Sequence, residues 1–202
     1  MKSIEIGSQE WADTNHSVAA FSTGDTIPLV NSLEEWASAY EEHKPACCFF
    51  DFNEKKNKSG GLLYNWFAIH DERGLAPKGW KIPSDKDWQK LIDFCGKKRV
   101  AGAKLKSNEG WIGWGDIDEA NGQNDYGFNI KATGYILKRT GYDFPEFMNQ
   151  GYSSVLWSCD LRKGSNSEVW TWSFNSGDKV EREGEDVQQS IPGFSVRFIK
   201  QK

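Results

Sequence analysis

Tryptophan constrains this chain more than any other residue type. Ten are spread over 202 residues, and a ring that large must pack in a core or hold something at the surface. Their contexts differ. Leu33, Trp36, Ala37 and Tyr40 share one face of a predicted helix over 32–43. Trp88, Leu91, Ile92 and Cys95 recur at i, i+3, i+4 and i+7 in another. Trp66 lies in LLYNWFAIHD, 62–71, which is apolar nearly all round and reads as a short buried helix. Trp170, Trp172 and Phe174 alternate with Thr171 and Ser173, the pattern of a half-buried strand. Trp111 and Trp114 stand in a Gly-, Asn- and Asp-rich stretch, 108–134, which reads as a long loop.

Local signals fill in the rest. Ile4 and Ile6 alternate with Glu5 before Gly7-Ser8, a short strand and turn. Ser32 with Glu35 makes a capping box, and Ser84 with Asp85 and Asp87 opens the Trp88 helix, which Gly96 stops. PACCFFDF, 45–52, reads as a buried strand, and NEKKNKSGG, 53–61, as a polar loop. Asn175-Ser176-Gly177-Asp178 turns into a strand around Val180, and Phe194, Val196 and Phe198 alternate in a last strand. No repeat or linker is visible, so 1–202 reads as one α+β domain.

Composition narrows the class. The net charge is −4 with no basic block, which argues against a nucleic-acid partner. No apolar run approaches the roughly 20 residues of a transmembrane helix. The start, MKSIEIGSQEW, lacks the apolar core of a signal peptide, so the chain as written reads as cytoplasmic or as one whose leader was removed. The four cysteines contain no C-x-x-C pair and read as reduced, mostly buried thiols. H-E-x-x-H, G-x-S-x-G and G-x-x-x-x-G-K-[ST] are absent, and His16, His43 and His70 are scattered.

The order IGSQEWADTN, GLLYNWFAI, RGLAPKGWKIPSDKDWQKL, AGAKLKS, NDYGFN, YSSVLWS and GFSVRFIK resembles the Fibrobacter succinogenes major paralogous domain, a bacterial family. The motifs run from about residue 5 to 200. The same ingredients are similar to the C-type-lectin-like fold and its formylglycine-generating-enzyme branch. The resemblance implies a C-type-lectin-like domain: two main helices packed on a small, mainly antiparallel twisted sheet with long loops. It further implies that Ile4–Ile6 lies beside Phe194–Ile199, that Trp11, Trp80 and Trp157 are core, and that the chain is an exported or cell-surface protein. In that fold ligand surfaces are usually built from the late loop and strand region, which brings Arg139, Tyr142 and Arg162 forward.

The candidate ligand-binding residues are therefore Trp111, Trp114, Arg139, Tyr142, Arg162, Trp170 and Trp172. Exposed aromatic rings suit the apolar faces of sugars, and the leading expectation is a non-catalytic module binding a glycan or a protein surface. No catalytic residue is assigned and no cofactor is expected, apart from a structural calcium. Asp116, Asp118, Asn121 and Asp125 supply the oxygen ligands calcium prefers, without EF-hand spacing. Two alternatives stand beside this. A cysteine- or metal-dependent modifying enzyme requires a low-pKa thiol at Cys159. A structural module of a surface or secretion apparatus requires stable protein partners.

Overall fold

The computed structural model describes residues 2–115 and 119–201. The chain opens with strands β1 (Ser3–Ile6) and β2 (Gln9–Ala12), paired antiparallel with Ile6 opposite Gln9. That register leaves Gly7-Ser8 as a two-residue turn. Gly7 has φ +61°, and a Cβ there would come within 2.8 Å of the Phe94 ring, so both backbone and space demand glycine. Helix α1 (Leu33–Glu41) starts at Ser32, whose hydroxyl accepts from the Glu35 N–H at 3.2 Å. The Glu35 carboxylate returns to the Asn31 N–H at 2.8 Å, one residue earlier than a capping box requires.

Between 45 and 71 the structure corrects the sequence reading. The expected strand over 45–52 is only β3 (Cys47–Cys48), followed by a 3-10 turn at Phe50–Phe52. The polar loop holds a short helix, α2 (Glu54–Asn57). The expected helix over 62–71 divides into β4 (Leu63–Tyr64) and α3 (Trp66–Ile69). Asn65 makes the division: its carboxamide oxygen accepts from the Ala68 N–H at 2.9 Å and the Ala46 N–H at 3.0 Å, capping the helix while holding the strand. All-round apolarity signalled burial on both faces, and burial alone does not separate a strand from a helix.

Strand β5 (Trp80–Lys81) leads into α4 (Asp85–Phe94), where Ser84 and Asp87 form the predicted reciprocal capping box. A short α5 (Ala101–Leu105) precedes the long loop. Then come hairpin β6 (Tyr135–Leu137) and β7 (Glu146–Met148), the long strands β8 (Ser153–Leu161), β9 (Glu168–Asn175) and β10 (Val180–Asp186), and finally β11 (Phe194–Ser195) and β12 (Ile199–Lys200). Among the described residues three sheets result, ordered β1-β2-β12-β5, β10-β9-β8-β11-β4-β3 and β6-β7. All strand pairs are antiparallel except β8 with β11. The architecture is α+β, as expected.

The last strand is broken in two. β11 belongs to the six-stranded sheet and β12 to the four-stranded one, so Val196, Arg197 and Phe198 carry the chain between sheets. Arg197 is buried at that crossing. Its guanidinium donates to Asn15 Oδ1 at 2.8 and 3.0 Å, to Ala12 O at 3.1 Å and to Phe128 O at 2.7 Å. One cation thus ties the chain's end to its N-terminal segment and to the long loop. The implied neighbour of the last strand needs correction: Ile199 lies opposite Trp11 of β2, with β1 one strand further out.

Helix α4 packs across β8 and β9. Beneath it Trp88 lies 4.8 Å from Trp11 and 6.5 Å from Trp172, ring centre to ring centre, and its indole N–H donates to Trp157 O at 3.1 Å. Trp11, Trp88, Trp157 and Trp172 are fully buried. All four cysteines are free thiols: Cys47, Cys48 and Cys95 are buried and Cys159 is half-buried. Among the described residues no helix is long and apolar enough to cross a membrane.

Candidate functional site

Of the ten tryptophans, Trp114 is the one left exposed, at 63%. The loop carrying it is held two residues earlier. The Ile112 N–H donates to Gly151 O at 2.7 Å, and Ile112 O accepts from the Ser176 hydroxyl at 2.6 Å. Gly151 has φ +84°, and a Cβ there would meet Ile112 at 2.7 Å, so glycine permits this close approach. Trp114 then stands edge to face with Tyr152, ring centres 5.3 Å apart at 82°. The pair lines a cleft of about 290 Å³ with Asn149, Ser153, Asn175, Ser176 and Gly177.

The wall at 175–177 is fixed by a buried cation. Lys106 is fully buried, and its ammonium donates to Asn175 O at 3.1 Å, Ser176 O at 2.9 Å, Gly177 O at 2.9 Å and Ala120 O at 2.7 Å. It also lies 4.9 Å from the Trp111 ring centre. Burial pushes its pKa down to about 8, which keeps it protonated at neutral pH. Four carbonyls around one cation hold the 175–177 turn against the loop that bears Trp114. The two carboxamides of the cleft are partly engaged: Asn149 donates to the Tyr135 hydroxyl at 2.9 Å, and Asn175 to Glu181 at 3.4 Å. An amide has capacity for more partners than one, so both can still bond a ligand hydroxyl.

The other predicted residues lie elsewhere. Trp111 and Trp172 are core: Trp111 is 6% exposed and donates to Ser107 Oγ at 3.0 Å and Ile130 O at 3.1 Å, and Trp172 lies under α4. Neither ring has a face open to a ligand. Arg139 lies over Tyr142 at 4.5 Å and pairs with Glu146 at 2.8 Å, on the tip of the β6–β7 hairpin. That tip borders a polar groove of about 720 Å³ facing 185–191. There burial, with the neighbouring Glu183 and Asp186, raises the pKa of Glu185. Arg162 pairs with Glu168 at 2.9 Å and lies 5.4 Å from Trp170. Arg182 covers the Trp170 ring at 3.3 Å while forking onto Asp85 at 2.7 Å twice. The predicted ligand residues therefore occupy separate places. Tyr152, Asn149 and Asn175 join Trp114 although no spacing in the sequence links them.

The calcium set is only partly within view. Asp116 and Asp118 lie outside the described residues. The Asn121 carboxamide oxygen accepts from the Trp111 N–H at 3.0 Å. Asp125 is exposed, with its N–H donating to Lys104 O at 3.0 Å. Among the described residues no three His, Cys, Asp or Glu side chains are grouped to hold a metal ion. Burial, with Asp160 beside it, pushes the Cys159 thiol up to about 11, opposite to what a nucleophile requires.

Fold and cleft together describe an α+β protein that presents the Trp114–Tyr152 pair to solvent beside two carboxamides. The chain belongs to the Fibrobacter succinogenes major domain family, whose model matches residues 4–200. A stretch of 79 residues is 32% identical to the sn-glycerol-3-phosphate-binding periplasmic protein UgpB of Salmonella typhimurium, covering 39% of this chain and 17% of that protein. The UgpB proteins of Salmonella paratyphi A and Salmonella typhi match with the same figures. The chain thus spans 17% of the length of these relatives. No solved structure matches.

Proposed function

We propose that this chain is a non-catalytic recognition module that binds a glycan at the Trp114 cleft. One observation carries the reading: a fold that encloses or covers its other tryptophans leaves Trp114 exposed, on a loop anchored at Ile112. An exposed ring beside a phenol and two amides is suited to a sugar, whose C–H face stacks and whose hydroxyls bond. Nearly the whole chain acts as one C-type-lectin-like domain in this reading. Support comes from the N-terminal hairpin lying against the last strand, from helices α1 and α4, and from the long loop before β6.

The test is a glycan array with purified protein, run with calcium and repeated with chelator, for wild type, Trp114→Ala and Tyr152→Ala. A reproducible hit lost in both variants is expected. Loss of the hit on chelation brings calcium at Asp116, Asp118, Asn121 and Asp125 into the site. A blank array with folded protein overturns the glycan reading and leaves a protein surface as the ligand.

A further inference from the structure

Residues next in sequence to those of the Trp114 cleft line a second hollow. A pocket of about 360 Å³ takes part of its lining from the same two segments, Gln150 and Gly151 with Glu109 and Gly110, and the rest from 50–63 and 131–133. The Ile112–Gly151 hydrogen bond joins those two segments. The volume falls within the roughly 300–1,000 Å³ of small-molecule sites. Glycines at 60, 61, 110 and 151 leave bare backbone in its lining.

Its chemistry differs from that of the aromatic cleft. The floor includes Thr133, whose hydroxyl shares hydrogen bonds with Ser154 at 2.8 Å and Ser195 at 3.2 Å, a buried network that fixes it. The rim is clasped where the Gln150 carboxamide donates to Asn57. Lys56 and Lys131 line the pocket against a single carboxylate, Glu109. Neither lysine forms an ion pair among the described residues, whereas nearby Lys58 is taken by Glu54 at 3.2 Å. Lys131 is half-buried, which strengthens its field on a bound charge. A chain of net charge −4 therefore turns locally positive beside its exposed aromatic pair.

We propose that this pocket is the anion subsite of the Trp114 cleft and that the ligand is an acidic oligosaccharide. One sugar ring lies on Trp114, and a carboxylate or sulfate on the adjoining residue lies between Lys56 and Lys131. The proposal rests on the glycan reading above. Its test compares three oligosaccharides of matched length by calorimetry: a uronate-containing one, a sulfated one and a neutral one. The proteins are wild type, Trp114→Ala and the double variant Lys56→Gln, Lys131→Gln.

Wild type is expected to prefer an acidic ligand by about tenfold, a preference that shrinks as ionic strength rises. Whichever acidic ligand carries the preference identifies the anion. In the double variant the preference disappears while neutral affinity is retained; in Trp114→Ala all binding falls. Equal affinity for acidic and neutral ligands, or a preference that survives in the double variant, overturns the subsite and leaves the glycan reading standing. Failure of wild type to bind any of the three, with a blank array, overturns both.

Discussion

Two aromatic groups of this molecule invite comparison. Trp11, Trp88 and Trp172 form a closed stack under α4, ring centres 4.8 and 6.5 Å apart along the chain of contacts. Trp114 and Tyr152 form an open pair at 5.3 Å. The residue chemistry is nearly the same, and the difference lies in what covers it. Trp170 marks the boundary. It is two residues from Trp172 on the same face of β9, yet it lies past the helix and is covered instead by Arg182, which Asp85 at the first turn of α4 holds in place. Trp88 and Trp172 are enclosed in the core, whereas Trp114 stays open to solvent.

The comparison breaks most sharply at Trp88. Trp88→Ala should cost about 4 kcal/mol, through lost transfer energy and a cavity between α4 and the sheet. Urea unfolding followed by circular dichroism checks this, and a loss below about 1 kcal/mol would deny the stack its role. Acid attacks the closed core next. His16 is buried against Tyr64 and Phe198, and burial pushes its pKa down to about 4. The unfolded chain takes up this proton near the ordinary histidine pKa of about 6.5, the folded chain only near 4. The contribution is therefore complete above about pH 6.5 and falls by about 3 kcal/mol as pH drops toward 4. The urea midpoint against pH should show the decline, and His16→Leu should flatten that part of it.

Lys106 connects the two groups, since it is buried like the stack but serves the open pair. Lys106→Met leaves four carbonyls without their donor and should cost about 2 kcal/mol. It should also weaken ligand binding by loosening the 175–177 wall, so stability and affinity should drop together. Unchanged affinity in a destabilised variant would separate the wall from the site. The smallest effect sharpens the contrast: Trp114→Ala should shift stability by no more than about 0.5 kcal/mol, measured in the same urea titration, while removing binding. A large destabilisation would make Trp114 a core residue after all.

Much of the fold is legible locally. The Gly7-Ser8 turn, the Ser84-to-Gly96 helix and the alternation of β9 are each written in a short stretch of chain, because capping and periodicity are short-range effects. The proposed cleft is legible only in one member. Trp114 stands out in its Gly-rich loop, but so does Trp111, and both satisfy the same pattern. Asn121 and Ile130 engage Trp111 and draw it inward, and no periodicity reports those partners. Lys106 in AGAKLKS carries no mark distinguishing it from a surface lysine.

Local sequence carries the α+β class, helices α1 and α4, the alternation of the late strands and the family motifs that run from end to end, but not the division of 45–71 into its short elements. Tertiary packing settled which elements cover which. It split the last strand between two sheets around Arg197, buried Lys106 among carbonyls up to 71 residues away, and left Trp114 beside Tyr152. The physical reason is range. A residue's own neighbours set its backbone and its face, whereas its burial depends on segments far along the chain, which come together only when the core forms.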